Sequence, residues 1–92
     1  MSKVQVQLSG TLALAAGTKK AEVEASTVRQ LIDALVAAHG QDFRTKLLDD
    51  SGTPRRFVNI YVDGRDYRFL DKLETQLSGV STVSLIPAVA GG

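Results

Sequence analysis

The residues best suited to chemistry are the last six of the 92-residue chain, Pro87-Ala88-Val89-Ala90-Gly91-Gly92. Pro87 lacks a backbone N–H, so it is expected to end the apolar run of residues 83–86. Six extended residues reach roughly 20 Å at about 3.3 Å each. Because no charged side chain follows Glu74, the terminal carboxylate is the one ionic group in this part of the chain. The pattern predicts a folded domain, residues 1–86, and a flexible C-terminal tail, residues 87–92, that carries the Gly92 carboxylate into a partner's cleft.

Side chains elsewhere in the sequence offer little catalytic chemistry. With no cysteine and a single histidine, the chain has no thiolate nucleophile, disulfide or Cys/His zinc site. His39 ends an amphipathic segment, where an imidazolium offsets the negative end of the helix dipole, so we expect a structural role for it. The neighbouring acids Asp49 and Asp50, and Asp63 with Asp66, lie in turn-like sequence typical of solvated surface. We therefore expect a protein that is not itself an enzyme and that binds no metal or cofactor.

Composition narrows the class of partner. The chain is 43% hydrophobic and 23% charged, as expected for one small folded domain. Eleven basic and ten acidic side chains leave a net charge of +1, and no tryptophan is present, so a nucleic-acid partner is not expected. The longest apolar run is far shorter than a membrane span, and the first residues do not resemble a signal peptide. We expect a cytoplasmic protein with no membrane partner.

Residues 3–24 are predicted to form a hairpin. Residues 3–8 alternate, with Val4, Val6 and Leu8 on one face, which predicts a half-buried strand. Residues 9–17 contain two glycines, and we interpret them as a long loop whose leucines pack under the body. Residues 18–24 alternate again, and two strands so close in sequence most simply pair antiparallel.

One long amphipathic helix follows the hairpin. Thr27 and Gln30 fit a capping box, in which the threonine caps the helix and the glutamine reaches back to the backbone. Gly40 is a natural stop. The apolar residues behind the cap follow the spacing of a single helical face: Val28, Leu31, Ile32, Leu35 and Val36. This wide stripe must lie on a sheet.

The second half of the chain supplies the remaining strands. Residues 41–56 suggest a short helical turn and then a loop, and residues 57–62 predict a strand rich in β-formers. Asp63-Gly64 is a tight-turn signal, after which residues 65–70 return as a short edge strand. Residues 82–86 are the last strand. The positions predicted to face the core are Val58, Ile60, Val62, Val83 and Leu85.

This order predicts an α+β fold of the β-grasp, or ubiquitin-like, type. A mixed sheet of four to five strands would pack on the one main helix, with the first and last strands parallel and adjacent, because the helix supplies the crossover that parallel neighbours need. Pattern alone also allows a ferredoxin-like sandwich, but that fold needs a second long helix, and residues 70–77 are too short for one.

Three stretches of the chain resemble the MoaD/ThiS family of ubiquitin-like sulfur carriers. They are residues 56–64 (RFVNIYVDG), Arg68-Phe69, and residues 83–92 (VSLIPAVAGG). The family includes the small subunit of molybdopterin synthase and the thiamine sulfur carrier. The chain looks most like the carrier of the actinobacterial cysteine-biosynthesis route, which also has an extended region corresponding to residues 41–56.

The resemblance implies that Gly92 is the reactive site. An E1-like adenylating enzyme would join the carboxylate to AMP with its own ATP and Mg²⁺, and a sulfur donor would then displace AMP to give a thiocarboxylate. Gly91 and Gly92 lack a Cβ, which allows the backbone through a narrow tunnel. The acceptor stays open among cysteine, thiamine, molybdopterin and a secondary metabolite, with a PLP-dependent synthase as one candidate. A ubiquitin-like modifier joined to lysines through Gly92, and an interaction domain with an inert tail, are the alternatives.

Partner binding is expected at the sheet and along the tail. Phe57, Tyr61 and Ile86 occupy the strand phase opposite the core and are predicted to form an apolar docking patch for the activating enzyme. The alternative is that residues 41–56 cover this patch. The other predicted partner-binding residues belong to the tail: Pro87, Ala88, Val89 and Ala90.

Charged residues raise two further points about docking. The pairs Arg55-Arg56 and Arg65/Arg68 could steer an acidic partner, although scattered arginines are more often plain surface. Family members often carry acidic residues before the last strand, whereas this chain has Val80-Ser81-Thr82 there. That departure puts the family's usual charge pairing with the activating enzyme in doubt.

Overall fold

Five strands and three helices make up the computed structural model, which describes residues 2–88. A 3₁₀ turn at Tyr67–Phe69 and another at Lys72–Glu74 connect the last two strands. No helix in this part of the chain is long and apolar enough to cross a membrane. In chain order the elements are β1 (Ser2–Leu8), α1 (Gly10–Ala16), β2 (Lys20–Ala25), α2 (Val28–His39), α3 (Gln41–Leu47), β3 (Val58–Val62), β4 (Arg65–Asp66) and β5 (Thr82–Pro87).

The strands form one mixed sheet in the order β2-β1-β5-β3-β4. β1 and β5 run parallel at its centre, with Val6 opposite Val83 and Leu8 opposite Leu85. β2 pairs antiparallel with β1, and β3 pairs antiparallel with β5. The predicted β-grasp arrangement, with terminal strands adjacent and parallel, is confirmed.

α2 covers the inner face of the sheet as its apolar stripe predicted. The Thr27 hydroxyl accepts a hydrogen bond from the Gln30 N–H at 3.2 Å, and the Gln30 side-chain carbonyl accepts one from the Ser26 N–H at 2.8 Å. The reciprocal cap therefore forms, reaching back to the residue before Thr27. Four residues of the predicted stripe are buried: Val28, Leu31, Ile32 and Leu35.

The core lies between α2, α3 and the inner face of the sheet. Phe43 and Leu47 of α3 are fully buried in it, together with Leu12 of α1. The strand residues predicted to face inward are buried as well: Val4, Val6, Leu8, Val58, Ile60, Val62, Val83 and Leu85.

The interpretation of residues 9–17 as a loop is wrong, because they contain α1. Its Ala and Leu residues are strong helix formers, and the two glycines that suggested a loop lie at its two ends. Gly17 adopts a left-handed conformation with φ 76°, and its N–H donates to the Ala13 carbonyl, which closes the helix.

Two further elements differ from their predictions in extent. Gln41–Leu47 is a helix of seven residues rather than a single turn, because burial of Phe43 and Leu47 stabilises it against the core. Arg65–Asp66 is a strand of only two residues, and the chain then turns into the 3₁₀ segment at Tyr67 because the Asp66 carboxylate accepts a hydrogen bond from the Arg68 N–H at 2.9 Å.

Candidate functional site

The chain leaves the sheet at the end of β5, which is the candidate site. Because β5 is parallel to β1 and antiparallel to β3, it ends beside the end of β1 and the start of β3. Pro87 lies opposite Val58 in the β3 register, and the Ala88 N–H donates to the Phe57 carbonyl. The predicted roles of Val89, Ala90, Gly91 and Gly92 concern residues outside those that the structure describes.

Pro87 is buried and belongs to β5, which corrects the prediction that the strand ends at residue 86. Proline lacks only the backbone donor, so its ring can still pack and its carbonyl can still accept. The ring packs against Gly10 at the start of α1: a Cβ on Gly10 would lie 2.9 Å from Pro87 Cγ, and Gly10 has φ +56°. Pro87 is thus part of the folded body rather than of a separate tail, and Gly10 is a site residue that sequence reasoning missed.

The predicted apolar patch is exposed on the outer face of the sheet. Phe57 is 45% exposed and Ile86 is 41% exposed, while Tyr61 is half-buried. Since Asn59 pairs with Ile86 and alternate residues share a face, Phe57 and Tyr61 lie on the same face as Ile86. Residues 41–56 therefore do not bury this patch, and its binding to a partner stays a prediction.

The Arg68 side chain makes hydrogen bonds along the edge of β3, near the start of that strand. Its Nη2 donates to the carbonyls of Arg56 and Val58, at 2.9 Å each, and its Nη1 donates to Asn59 Oδ1 at 3.2 Å. β4 pairs only with Tyr61 and Val62, so a side chain takes the place of a neighbouring strand along the start of β3. The intervening Phe57 carbonyl points to the other edge, where it accepts from Ala88. Arg68 is therefore committed to the fold rather than projecting as a steering charge.

The opposite end of β5 is held by Asp63. Its carboxylate accepts hydrogen bonds from the Ser81 N–H at 3.1 Å and from the Thr82 N–H at 2.9 Å. The Val80-Ser81-Thr82 stretch, which lacks the expected acidic residues, thus uses two backbone donors to fix the start of the strand. β5 is anchored at both ends.

Two other titratable side chains, those of His39 and Tyr67, pack within the fold. His39 packs against Phe43 with ring centroids 5.3 Å apart at the end of α2, in agreement with a structural role. Burial raises the pKa of Tyr67 above its usual value, an effect to which the nearby Asp66 adds and which Arg68 opposes.

The β-grasp body fixes Pro87 and Ala88 at one end of its mixed sheet. The chain belongs to the ThiS family, whose model matches residues 6–92. It is a sulfur carrier of the ThiS/CysO type, a small carrier protein rather than an enzyme, as the curated relatives below indicate.

Two curated relatives cover most of this chain. A putative sulfur carrier protein of Archaeoglobus fulgidus is 38% identical over 76 residues, which span 83% of this chain and 85% of the relative. The sulfur carrier protein CysO of Mycobacterium bovis is 37% identical over 78 residues, or 83% of each chain.

Solved structures give the same fold. CysO in the BexX/CysO complex of Amycolatopsis orientalis is 33% identical with a TM-score of 0.82, covering 97% of this chain and 99% of that one. The small archaeal modifier protein SAMP1 of Methanosarcina acetivorans is 26% identical with a TM-score of 0.86, covering 100% of this chain and 98% of that one.

Proposed function

We propose that this protein carries sulfur as a thiocarboxylate at the carboxyl terminus of Gly92. The observation that carries the proposal is that the family match runs through to Gly92, while the described structure anchors the chain up to Ala88. Four residues follow Ala88 in the sequence, and extended they span roughly 13 Å at about 3.3 Å each. The chain has no cysteine on which sulfur could be carried instead.

The proposed chemistry begins with activation, because a carboxylate is a poor electrophile. An E1-like enzyme uses its ATP and Mg²⁺ to form an acyl-adenylate on Gly92, with release of pyrophosphate. A sulfide equivalent then attacks the acyl carbon. It is delivered either as HS⁻ or by a persulfide, whose S–S bond a second thiol reduces. The bond from that carbon to the AMP oxygen breaks, AMP leaves with the electron pair, and a C–S bond remains. The carrier supplies no acid, base, metal or cofactor to these steps.

The thiocarboxylate then acts as a soft nucleophile on an activated acceptor. A PLP-dependent synthase that holds an aminoacrylate is one candidate, since sulfur addition to its β-carbon leads toward cysteine. The similarity to CysO supports this route. Acceptors on the way to thiamine, molybdopterin or a secondary metabolite use the same carrier chemistry.

Docking of the activating enzyme is proposed at the exposed patch of Phe57, Tyr61 and Ile86. This patch lies beside the last described residue, Ala88, so an enzyme that encloses residues 89–92 would contact it. The solved complex of a CysO with BexX supports the idea that such carriers pair with enzymes. Tyr61→Ala and Ile86→Ser should each raise the KM of adenylation about tenfold, the loss expected for one interface anchor. Unchanged KM values in folded variants would refute this docking.

Intact-mass spectrometry tests the proposed chemistry. The protein is incubated with an E1-like activating enzyme, ATP and a sulfur source, and the thiocarboxylate adds the mass difference between sulfur and oxygen. A variant lacking Gly92 is the matched control and should gain nothing. A mass gain in that control, or none in the intact chain, would contradict the proposal.

A ubiquitin-like modifier is the second candidate, supported by the similarity to the small archaeal modifier protein. It would use the same Gly92 adenylate but transfer the acyl group to a lysine amine, so the carrier would become part of a covalent conjugate. The same experiment separates the two functions, because a conjugate adds the mass of a whole protein. The two outcomes are not exclusive.

A further inference from the structure

The outer side of β2 is an edge of the sheet, since β2 comes first in the order β2-β1-β5-β3-β4. The Leu8 N–H donates to the Lys19 carbonyl at 2.8 Å, so these two residues form a hydrogen-bonded pair. Hydrogen-bonded and non-hydrogen-bonded pairs alternate along an antiparallel ladder. In the register of β1 with β2, Lys20, Glu22 and Glu24 therefore turn their N–H and C=O groups away from β1.

The Thr18 hydroxyl closes this edge at the start of β2. It accepts a hydrogen bond from the Lys20 N–H at 3.3 Å and donates one to the Lys20 carbonyl at 2.9 Å. One side chain thus occupies both outward groups of Lys20, and a further strand cannot pair there without displacing it.

The backbone of Ser26 closes the edge at the other end of β2. Its N–H donates to the Gln30 side-chain carbonyl at 2.8 Å, and its C=O accepts from the Leu77 N–H at 2.9 Å. Between the two closures, no hydrogen bond from residues 2–88 reaches the outward groups of Glu22 and Glu24. The open section of β2 therefore offers two donors and two acceptors on alternate residues.

The outer face beside the open section is acidic. Glu22 and Glu24 are both exposed there. The Glu22 carboxylate accepts a hydrogen bond from Gln5 Nε2 at 2.7 Å and lies 4.0 Å from Lys3 Nζ. Although Lys3 lies opposite Glu24 in the register, Glu24 makes no ion pair within the described part of the chain. A cation on an added strand would find the Glu24 carboxylate available.

The inner face beside the open section is apolar. Ala21 and Val23 are half-buried and pack against the core, and α2 packs on β2 on this side. Successive side chains of a strand point to opposite faces. A strand that complements the open section therefore alternates, with basic side chains on the outer face and apolar side chains on the inner face.

We propose that the open section of β2 binds an extended segment of a partner protein by strand addition, with basic side chains beside Glu22 and Glu24 and apolar side chains beside Ala21 and Val23. The backbone groups define the occupant, because an extended chain satisfies outward donors and acceptors on alternate residues together. A helix cannot, since its own backbone groups are bonded internally. The site does not involve Gly92, so this inference is independent of the proposed function.

Charge argues against a second copy of this chain as the occupant. Two β2 edges that meet antiparallel through the open section set Glu22 opposite Glu24 twice, and like charges directly opposite each other are destabilising. A register that sets Lys20 opposite Glu24 needs the Lys20 backbone groups, which the Thr18 hydroxyl holds. A partner strand that carries lysine or arginine meets neither obstacle.

Amide hydrogen exchange of the full chain, measured by NMR with a short synthetic peptide that alternates valine and lysine, tests the strand addition. At about nine-tenths occupancy, the Glu22 and Glu24 amides should exchange about tenfold more slowly, because they exchange only from the free protein, while the Lys20 amide should not change. Two control peptides should not slow the exchange. One replaces each lysine by glutamate, and the other is N-methylated at its lysines.

Variants of β2 separate the backbone contribution from the charge. Glu24→Pro removes an outward donor without removing a ladder hydrogen bond to β1, and it should raise the peptide Kd about tenfold. Glu24→Gln keeps the donor and should raise Kd about fivefold, whereas Asp50→Asn, which changes an exposed acid outside β2, is the matched control and should not. Thr18→Val frees the Lys20 groups and should extend the slowed exchange to the Lys20 amide.

The outcomes decide the proposal. Unchanged exchange at Glu22 and Glu24 with millimolar peptide, or equal slowing by the N-methylated peptide, would overturn strand addition. Equal slowing by the glutamate peptide would overturn the choice of a basic partner. Slowed exchange of the same amides that appears on raising the carrier concentration alone would assign the edge to a second copy and overturn the proposal. If Glu24→Pro fails to fold, the N-methylated peptide makes the same backbone test on the wild type.

Discussion

Replacing Gly10 by alanine adds a methyl group that would lie 2.9 Å from Pro87 Cγ, and ordinary carbon contacts are longer. The proline ring cannot rotate away as a flexible side chain would, so either α1 or the end of β5 must shift. Gly10 also has φ +56°, a left-handed conformation that disfavours alanine. Both effects destabilise the fold at the point where β5 ends.

The loss of unfolding free energy in Gly10→Ala follows from these two contributions. The left-handed conformation costs an L-residue about 1–2 kcal/mol. Crowding a packed contact costs about 1–3 kcal/mol. The free energy of unfolding of Gly10→Ala should therefore fall by about 2–5 kcal/mol, a large part of the roughly 5–15 kcal/mol of a typical domain.

Gly17→Ala is the matched control. Gly17 lies at the other end of α1 with φ +76°, but nothing lies within 4 Å of a Cβ built there. Its substitution should cost only the conformational part, about 1–2 kcal/mol. Pro87→Ala removes the ring atoms that Gly10→Ala would meet, so in that background Gly10→Ala should cost about as much as Gly17→Ala.

Equilibrium urea unfolding of the four proteins of this cycle, and of Gly17→Ala, measures these differences. A coupling of about 1–3 kcal/mol between Gly10→Ala and Pro87→Ala is expected from the crowding contribution. Equal losses in Gly10→Ala and Gly17→Ala, or a coupling near zero, would refute the idea that Gly10 fixes the end of β5.

Three further substitutions probe the elements around β5. Arg68→Met should lower the free energy of unfolding by about 2–4 kcal/mol, because two backbone carbonyls and an amide lose a charged donor, and Arg68→Lys should recover only part of this; equal stability of Arg68→Met and the wild type would be contrary evidence. Asp63→Ala should cost about 1–3 kcal/mol, because the Ser81 and Thr82 donors lose their acceptor, whereas Asp63→Asn keeps an acceptor oxygen and a residue suited to φ 49°; urea midpoints that rank the two variants the other way would count against this anchor. Burial raises the pKa of Tyr67 above 10.0, so its ionisation favours the unfolded state and wild-type stability should fall as pH rises above about 10; Tyr67→Phe should flatten this decline, and parallel curves for the two proteins would contradict the assignment.

Periodicity, a capping signal and the order of the elements together predicted the sheet and its main helix. The alternation of Val4, Val6 and Leu8, and the capping pair Thr27 and Gln30, were sufficient because burial and capping act on neighbouring residues. The parallel pairing of β1 with β5 also followed from the order of the elements. These features depend on local pattern and on topology rules that apply to any sequence.

The failures concern residues whose conformation depends on distant contacts. The α1 helix was missed because its glycines read as loop signals, while the contact of Gly10 with Pro87 joins residues far apart in the sequence. Pro87 was assigned to the tail because proline usually ends a strand, and its packing on Gly10 was not visible in the pattern. Arg68 read as surface charge, because nothing in its local sequence shows that β4 stops after two residues.

The mass of the carrier after incubation with an activating enzyme, ATP and a sulfur source tests whether sulfur is carried at Gly92. The expected gain equals the mass difference between a sulfur and an oxygen atom and is located by fragmentation to Gly92, and no gain is expected without ATP. Sulfur found at any other residue, or a carrier lacking Gly92 that still gains and donates sulfur, would contradict it.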